Sequence, residues 1–261
     1  MFNSTMPGYA GPLEELKPTY DQLDALKARL DAMRPLSPEA AKNLRDDLVL
    51  RYTYHSNAIE GNTLTLMETK VVLEDGLTIG GKSMREHLEA INHRDAYDFL
   101  EEACREQTPL SERLIKEIHQ LVLKGIDNEN AGKYRQQNVL ISGAGFQPPD
   151  FLHVQECMAS FIQWYASESS KLHPIERAAR VHADSVNIHP FIDGNGRTAR
   201  LLMNLELLRA GFPLAIVPVE ERSNYYANLD IVAVKGDYSP FALQVCALVE
   251  NGFKPYWFIG G

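Results

Sequence analysis

Apolar side chains recur at helical spacing in the stretch that follows Ser37-Pro38. Ser37 is a typical N-cap residue, and proline is tolerated at the first helical position because its missing N–H has no intrahelical partner there. Glycine often lies just beyond a helix end, so Gly61 limits the predicted helix to about residues 38–61. The apolar positions that carry this prediction are Leu44, Leu48, Tyr52 and Ile59.

Two capping boxes predict the next helices. Thr65 with Glu68, and Ser83 with Glu86, have the spacing at which a hydroxyl and a carboxylate satisfy each other's backbone N–H groups. The second box predicts a long helix that ends near Arg105. Similar start and stop signals predict helices from Thr108 to Gly125, from about Asp150 to Ser170, from Pro174 to Asn187, from Gly194 to Ala210 and from Ser239 toward Asn251.

The helical pattern breaks between Lys133 and Pro149, where the sequence reads KYRQQNVLISGAGFQPP. Val139, Leu140 and Ile141 favour β structure, and the glycines and prolines that follow favour turns. This predicts a short β-hairpin flap between helices. The fold class predicted for the whole chain is therefore mainly α, with one β-hairpin.

Composition and charge argue against several classes of function. The 261 residues include 26 Lys and Arg against 35 Asp and Glu, a formal net charge of −9, whereas a nucleic-acid binder needs a basic face. No apolar stretch reaches the ~18 residues of a membrane span, and no signal peptide is recognisable at the start. Cys104, Cys157 and Cys246 form no CxxC pair, which argues against a zinc site or a disulfide framework. We therefore expect a cytoplasmic protein that binds neither membrane nor nucleic acid.

Residues 189–200 read HPFIDGNGRTAR and combine several chemical features. Pro190 disfavours helix at His189, and Gly194 and Gly196 then lead into an amphipathic helix. A glycine-rich loop at a helix N-terminus directs unpaired backbone N–H groups at one point. Such a point is a ready anion site.

Charged side chains in the same segment suit that anion site. Arg197 and Arg200 are three residues apart, so they share a helix face and supply donors for phosphate oxygens. Asp193 can hold Mg²⁺ on those oxygens, and His189 is a base that is neutral near pH 7. Each feature alone is usually structural, but their order within twelve residues points to phosphoryl or nucleotidyl transfer.

The segment matches HPFxDGNGRxxR, the signature of the Fic (filamentation induced by cAMP) family, at every fixed position. The chain is similar to this family over roughly residues 40–250: residues 132–143 resemble its target-docking hairpin, and residues 222–241 resemble the region after its active site. The resemblance implies a Fic-type helical bundle with a short β-hairpin flap. The flap residues that would pair with an extended target segment are Val139, Leu140, Ile141 and Ser142.

The activity that the resemblance implies is adenylyl transfer (AMPylation). A Tyr, Thr or Ser hydroxyl of a target protein would attack the α-phosphate of ATP, with His189 as general base. Asp193 would bind Mg²⁺ at the α- and β-phosphates. Arg197 would stabilise the transferring phosphate, and Arg200 would hold the γ-phosphate.

The resemblance also assigns the remaining nucleotide contacts. Asn195 and the backbone of Gly194 and Gly196 would form the anion hole, and Phe191 would anchor the loop. In some relatives an asparagine meets the base at the position of Ala233, so this chain departs from that contact. The residues expected to border the adenine are Tyr225, Tyr226 and Leu229.

Glu60 opposes the dipole of its own predicted helix. A carboxylate in the last turn costs about 0.3–1 kcal/mol, so local stability does not explain Glu60, whereas a cation from elsewhere would. Ser56 and Glu60 resemble the motif Ser/Thr-x-x-x-Glu-Gly/Asn of the Fic inhibitory helix. The resemblance implies that Glu60 pairs with Arg200 and inhibits the enzyme, and that Ser56 helps to orient Glu60.

A predicted division of the chain follows from this resemblance. Residues 1–110 are expected to form an N-terminal helical region that includes the inhibitory helix at about residues 38–61. Residues 111–251 would form the Fic catalytic core, and residues 252–261 a C-terminal tail.

The leading hypothesis is a self-inhibited protein adenylyltransferase that uses Mg²⁺ and ATP. Its target protein is unknown and includes the chain itself as a candidate, and a homodimer is a family-level expectation. Three alternatives stay open: removal of AMP from a modified protein, another nucleotidyl or phosphoryl transfer on the same fold, and a nucleotide-sensing module that binds a partner.

Overall fold

The chain is mainly helical in the part that the computed structural model describes, residues 11–141 and 143–260, and no β-strand occurs there. The prediction of a mainly α fold is therefore confirmed. The α-helices in these ranges are α1 (Lys17–Ala32), α2 (Pro38–Ile59), α3 (Leu66–Lys70), α4 (Met84–Arg105), α5 (Glu112–Val122), α6 (Val154–Glu168), α7 (Pro174–Ile188), α8 (Asn195–Arg209), α9 (Arg222–Lys235) and α10 (Ser239–Gly260).

Capping residues place several helix ends where the sequence predicts them. The Ser37 hydroxyl accepts a backbone N–H at the start of α2, and both predicted capping boxes form. Helix α4 ends at Arg105, as predicted. Helix α5 begins at Glu112 rather than at Thr108, because the Ser111 side chain supplies its N-cap.

Two helices and one helix extension go beyond the sequence prediction. The local start and stop signals do not predict α1 or α9. Helix α10 continues past Asn251 to Gly260, so residues 252–260 extend this helix. Phe253 on this extension is buried and stacks on Trp257, with ring centroids 5.7 Å apart, and this packing explains why the helix continues.

The β-hairpin predicted for the flap is absent from its described residues, and that part of the prediction is wrong. Side chains hold the flap in place of a cross-strand ladder. The Arg135 guanidinium donates to the carbonyl of Pro149, and Asn138 Nδ2 donates to the Asp150 carboxylate at 2.8 Å. The β-favouring run therefore has no partner strand among the described residues. Ser142, one of the predicted docking residues, lies outside them.

Helices α7 and α8 form the centre of the fold. They contribute buried side chains to two apolar clusters, one shared with α2, α4, α5 and α6, and the other shared with α1, α9 and α10. The loop between them, residues 189–194, is therefore anchored at both ends in packed helices. The first cluster includes residues on both sides of position 110, and the division of the chain into regions stays a prediction. None of the described helices is long and apolar enough to cross a membrane.

Candidate active site

The loop between α7 and α8 is held by side chains that bond its backbone. His189 ends α7 in the left-handed region, with φ +50°. The Asn195 carboxamide pairs with both backbone groups of Phe191, since it accepts from the N–H at 2.9 Å and donates to the carbonyl at 2.9 Å. Arg135 adds a bond from outside, because its Nε donates to the carbonyl of His189 at 2.8 Å. The Asn195 side chain thus closes the loop, and only its backbone N–H remains for an anion.

His189 has the tautomer that a general base needs. Its Nδ1 lies 3.2 Å from the carbonyl oxygen of Val186. Because a carbonyl oxygen only accepts hydrogen bonds, Nδ1 must carry the proton, and Nε2 is left with a free lone pair. Burial lowers the pKa of His189 below its ordinary value, so the imidazole is neutral near pH 7.

His119, which the sequence did not single out, joins the loop to the start of the flap. Its Nδ1 accepts the N–H of Gly132 at 2.9 Å, and its Nε2 donates to the carbonyl of Asp193 at 2.8 Å. The ring also stacks on Phe191, with centroids 3.6 Å apart. Burial lowers the pKa of His119 to about 4, so this two-sided bonding is stable at neutral pH. A lone histidine on the apolar face of a helix gives no local signal of this role.

A carboxylate lies over the N-terminus of α8, where the sequence predicts an anion site. The first N–H groups of a helix have no intrahelical acceptor, and Gly194, with φ +76°, turns the chain into α8 at that point. A Cβ on Gly196 would collide with Oε1 of Glu60. The Glu60 carboxylate therefore occupies the space that opens above Gly196.

Arg200 is held by the inhibitory-type motif and by one tyrosine. The guanidinium is 1% exposed, and its Nη2 donates to Glu60 Oε1 at 2.7 Å. Its Nε donates to the Ser56 hydroxyl at 3.0 Å, and Nη2 also donates to the Ser56 carbonyl at 2.8 Å. Its Nη1 donates to the hydroxyl of Tyr225 at 3.2 Å. Ser56 thus contacts the arginine itself, and all three guanidinium nitrogens have a protein partner.

Arg197, by contrast, keeps buried donors that have no acceptor in the part of the chain that the structure describes. Its side chain is 2% exposed, and Nη2 donates to Asp193 Oδ1 at 3.3 Å. Its Nη1 lies 3.3 Å from Oε1 of Glu89, an ion pair without hydrogen-bond geometry, and neither Nε nor Nη1 has a hydrogen-bond acceptor among the described residues. Buried donors without a partner cost free energy, so an anionic ligand at this point would satisfy them.

Asp193 is the carboxylate at the mouth of the site. Burial alone would raise its pKa, but the charge of Arg197, the N–H of Gly194 and the Arg85 guanidinium outweigh burial and lower the pKa below its ordinary value. Asp193 is therefore ionised at neutral pH. No group of three or more His, Cys, Asp or Glu side chains fit for a metal occurs in the described ranges. A single carboxylate suits Mg²⁺ that is bound mainly through substrate phosphates, so the residues present fit that ion.

The residues expected beside the adenine lie on α9, next to the flap. Tyr225 is buried against Arg200, whereas Tyr226 is 39% exposed and Leu229 is buried. The flap reaches the same helix, because the N–H of Gly145 donates to Asp230 Oδ2 at 3.0 Å. The exposed Leu140 and the half-buried Val139 and Ile141 lie on that flap.

Sequence comparison connects this site with known proteins. A profile of the Fic/DOC family matches residues 109–207. The protein adenylyltransferase fic-1 of Caenorhabditis briggsae is 43% identical over 220 residues, which are 83% of this chain and 43% of the relative. The chain spans about half the length of the curated relatives that it matches.

Solved structures match over most of this chain. Fic-1 from Caenorhabditis elegans has a TM-score of 0.83 at 36% identity, and the match covers 93% of this chain and 72% of the Fic-1 chain. A Fic domain containing signalling protein from Bacteroides thetaiotaomicron has a TM-score of 0.80 at 31% identity, over 92% of this chain and 97% of that one. Because this match covers nearly the whole of both chains, and the HPFxDGNGRxxR loop lies at the junction of α7 and α8, the chain belongs to the Fic/DOC family.

Proposed function

We propose that this chain is a protein adenylyltransferase, which transfers AMP from ATP to a hydroxyl group of a target protein. One observation carries the proposal: a neutral base and buried guanidinium donors that suit an anion lie beside the loop between α7 and α8. Within residues 11–141 and 143–260, Nε2 of His189 has no hydrogen-bond partner, and Arg197 has buried donors that lack an acceptor. The curated relatives named protein adenylyltransferase support the same activity.

In the proposed reaction, the hydroxyl proton of the target passes to Nε2 of His189 while the hydroxyl oxygen bonds to the α-phosphorus of ATP. The bond from that phosphorus to the oxygen that bridges to the β-phosphate breaks, and pyrophosphate leaves. The unpaired N–H groups at the start of α8 and the Arg197 guanidinium would stabilise the negative charge that grows on the phosphoryl oxygens. The Asn195 carboxamide keeps the loop in place while this happens.

Magnesium would be held by Asp193 together with the phosphates of ATP. When bound, Mg²⁺ supplies a charge that neutralises phosphate oxygens and the leaving pyrophosphate. The low pKa of Asp193 keeps the carboxylate ionised for this role. The backbone bond from Gly194 and the contact from Arg197 fix the direction of one carboxylate oxygen.

Glu60 would inhibit this activity in the resting protein. Its carboxylate fills the space above Gly196 and accepts a hydrogen bond from the Arg200 guanidinium. We propose that the phosphates of ATP bind in the same space and to the same guanidinium. Two anions do not share such a site without strong repulsion. A productive ATP complex therefore requires that Glu60 leave Arg200.

The decisive experiment supplies ATP labelled at the α-phosphate, and separately at the γ-phosphate, to wild type and Glu60→Gly with Mg²⁺ and a host lysate. We expect Glu60→Gly to incorporate at least tenfold more α-label than wild type, because the competing carboxylate is gone. Adding His189→Ala to Glu60→Gly removes the base, so incorporation falls by about 10²- to 10⁴-fold while ATP still binds.

Glu106→Gly is the matched control for this test. Glu106 is the C-cap residue of α4, as Glu60 is of α2, and it lies at the opposite end of α4 from Arg85, which contacts Asp193. Incorporation by Glu106→Gly should equal that of wild type. Retention of γ-label would identify a kinase, and equal α-label in wild type and Glu60→Gly would remove the inhibitory role of Glu60.

Removal of AMP is a second candidate, because Glu60 places a carboxylate inside the site, where it would orient an attacking water. This reaction requires Glu60, whereas transfer of AMP is hindered by it. Incubation of wild type and Glu60→Gly with a modified target, followed by intact mass, separates the two directions. Loss of AMP with wild type alone would favour removal.

The partners and location that we propose follow from the same activity. ATP and a hydroxyl-bearing protein are the substrates, and the chain itself is a candidate target. Free thiols at Cys104, Cys157 and Cys246 suit a reducing compartment such as the cytoplasm. Light scattering of the purified chain would test the expected homodimer.

A further inference from the structure

Two side chains on α4 close a ring of alternating charges around the catalytic loop. Nε of Arg85 donates to Oε1 of Glu89 at 3.1 Å, and the same oxygen lies 3.3 Å from Nη1 of Arg197. Arg197 contacts Asp193 Oδ1 at 3.3 Å, and Nη2 of Arg85 bonds Asp193 Oδ2. The ring contains two positive and two negative groups, so it is neutral in the resting protein.

The two oxygens of Asp193 have different partners within this ring. Oδ1 accepts the N–H of Gly194 at 2.6 Å and also contacts Arg197, so the loop itself holds it. Oδ2 is bound by Arg85, and no other partner of this oxygen occurs among the described residues. Oδ2 is therefore the oxygen left for a metal ion, and Arg85 already occupies it.

We propose that Arg85 is a positioning residue that competes with the metal ion for Asp193. In the resting protein its guanidinium is the counter-ion of Oδ2, and it must leave that oxygen before Mg²⁺ and ATP bind productively. The proposal rests on the proposed function, because it assigns Asp193 to Mg²⁺. Arg85 thereby sets the concentration of Mg²⁺ at which the metal site fills.

Exposure and anchoring make this exchange reversible. The Arg85 side chain is 55% exposed, and a half-exposed ion pair contributes little free energy, so a divalent cation can displace it. Glu89 is nearly buried and is fixed by the Asn62 amide, which donates to its Oε2 at 2.9 Å. Since Glu89 retains Nε of Arg85, the displaced guanidinium stays close enough to return after the products leave.

The test measures metal binding directly, without turnover. Mn²⁺ is titrated into Glu60→Gly and into Glu60→Gly with Arg85→Gln, each saturated with the α,β-methylene analogue of ATP, and free Mn²⁺ is read by electron paramagnetic resonance. We expect Arg85→Gln to lower the apparent dissociation constant for Mn²⁺ by about two- to fivefold, the range expected for loss of one half-exposed competitor.

Two controls, made in the same background, remove one positive charge elsewhere. Arg105→Gln does so at the far end of α4. Lys82→Gln does so near the start of α4, where Lys82 bonds Thr63 rather than Asp193. Unchanged or weaker Mn²⁺ binding in Arg85→Gln, or an equal gain in Lys82→Gln, overturns the proposal. If Glu60→Gly itself shows no nucleotide-dependent Mn²⁺ binding, the proposed function fails instead.

Discussion

At the scale of single residues, His189 combines three features that follow from its position at the end of α7. The left-handed backbone at His189 ends the helix, the Val186 carbonyl fixes the tautomer, and burial lowers the pKa. Glu60 acts in the opposite direction, because its negative charge raises the pKa of His189. The contact that we propose to be inhibitory therefore also affects the base.

The first prediction concerns the pH dependence of AMP transfer by Glu60→Gly. A base must be neutral to accept a proton, so activity should decline on the acid side with a midpoint below 6.5, the ordinary pKa from which that of His189 is lowered. Removal of Glu60 lowers this pKa further, since the raising charge is lost. Measured kcat/KM between pH 5 and pH 8 should show an acid limb below pH 6.5, and a midpoint above 6.5 would contradict the role of His189.

The sequence identified the site residues that lie together in the chain. Of those that meet only in the fold, the family resemblance supplied the pair Glu60 and Arg200, whereas Glu89 was missed. His189, Asp193, Arg197 and Arg200 stand within twelve positions, so their shared chemistry is visible in one segment. Glu89 approaches Arg197 only because α4 packs on α8, and nothing near Glu89 in the sequence indicates that contact. Long-range ion pairs of this kind leave no local pattern.

At the scale of elements, Asn204 fastens the segment that follows α8. Its amide is fully buried, and it bonds both backbone groups of Ala215: Oδ1 accepts the N–H at 2.8 Å, and Nδ2 donates to the carbonyl at 3.1 Å. This segment leads from α8 to α9, and α9 carries Tyr225 to its bond with Arg200. The position of one site residue thus depends on an amide one turn beyond Arg200.

The second prediction is that Asn204→Leu destabilises the protein by at least about 2 kcal/mol. Leucine has a similar volume but leaves the buried N–H and carbonyl of Ala215 unpaired, at about 1–3 kcal/mol for each group. Urea unfolding would measure the change. Asn228→Leu is the control, because Asn228 is half-buried and bonds the side chain of Gln244, so it should cost less than about 1 kcal/mol. Equal losses in the two variants would count against this role of Asn204.

Helix starts marked by a capping box were predictable from the sequence, whereas the flap was not. The capping box of α4 involves Ser83 and Glu86, three residues apart, and such a local bond forms whatever the rest of the chain does. A hairpin depends on pairing between two legs. In this flap Arg135 and Asn138 bind the returning leg through their side chains, so β propensity alone led to the wrong structure.

At the scale of the whole molecule, the net charge of −9 repels ATP, and the resting site adds no net attraction. Glu60 neutralises Arg200, while Asp193 and Glu89 neutralise Arg197 and Arg85. Under the proposed function, Glu60 would therefore oppose an incoming anion electrostatically as well as sterically. Removing Glu60 leaves the positive charge of Arg200, on α8, without its counter-ion. The net charge of the site then becomes positive and attracts ATP.

The third prediction follows from that balance and concerns thermal stability. Glu60→Gly should unfold at a lower temperature than wild type without ligand, because the 1%-exposed Arg200 guanidinium loses its anion. Mg²⁺ and ATP should then raise the unfolding midpoint of Glu60→Gly more than that of wild type, because ATP no longer competes with Glu60 and binds the variant more tightly. A ligand at 100 times its Kd adds about 2.7 kcal/mol to the stability of the protein that it binds.

Differential scanning fluorimetry with and without Mg²⁺ and ATP would measure both shifts, with Glu106→Gly as the control that should respond like wild type. The lower midpoint without ligand and the larger rise with ATP have one cause. Arg200 loses its carboxylate partner in Glu60→Gly, and a phosphate of ATP then takes the place of that carboxylate. Equal ATP-induced shifts in wild type and Glu60→Gly would mean that Glu60 and ATP do not compete for Arg200. In that case ATP binds without displacing Glu60, and inhibition must act on the reaction itself rather than on nucleotide affinity.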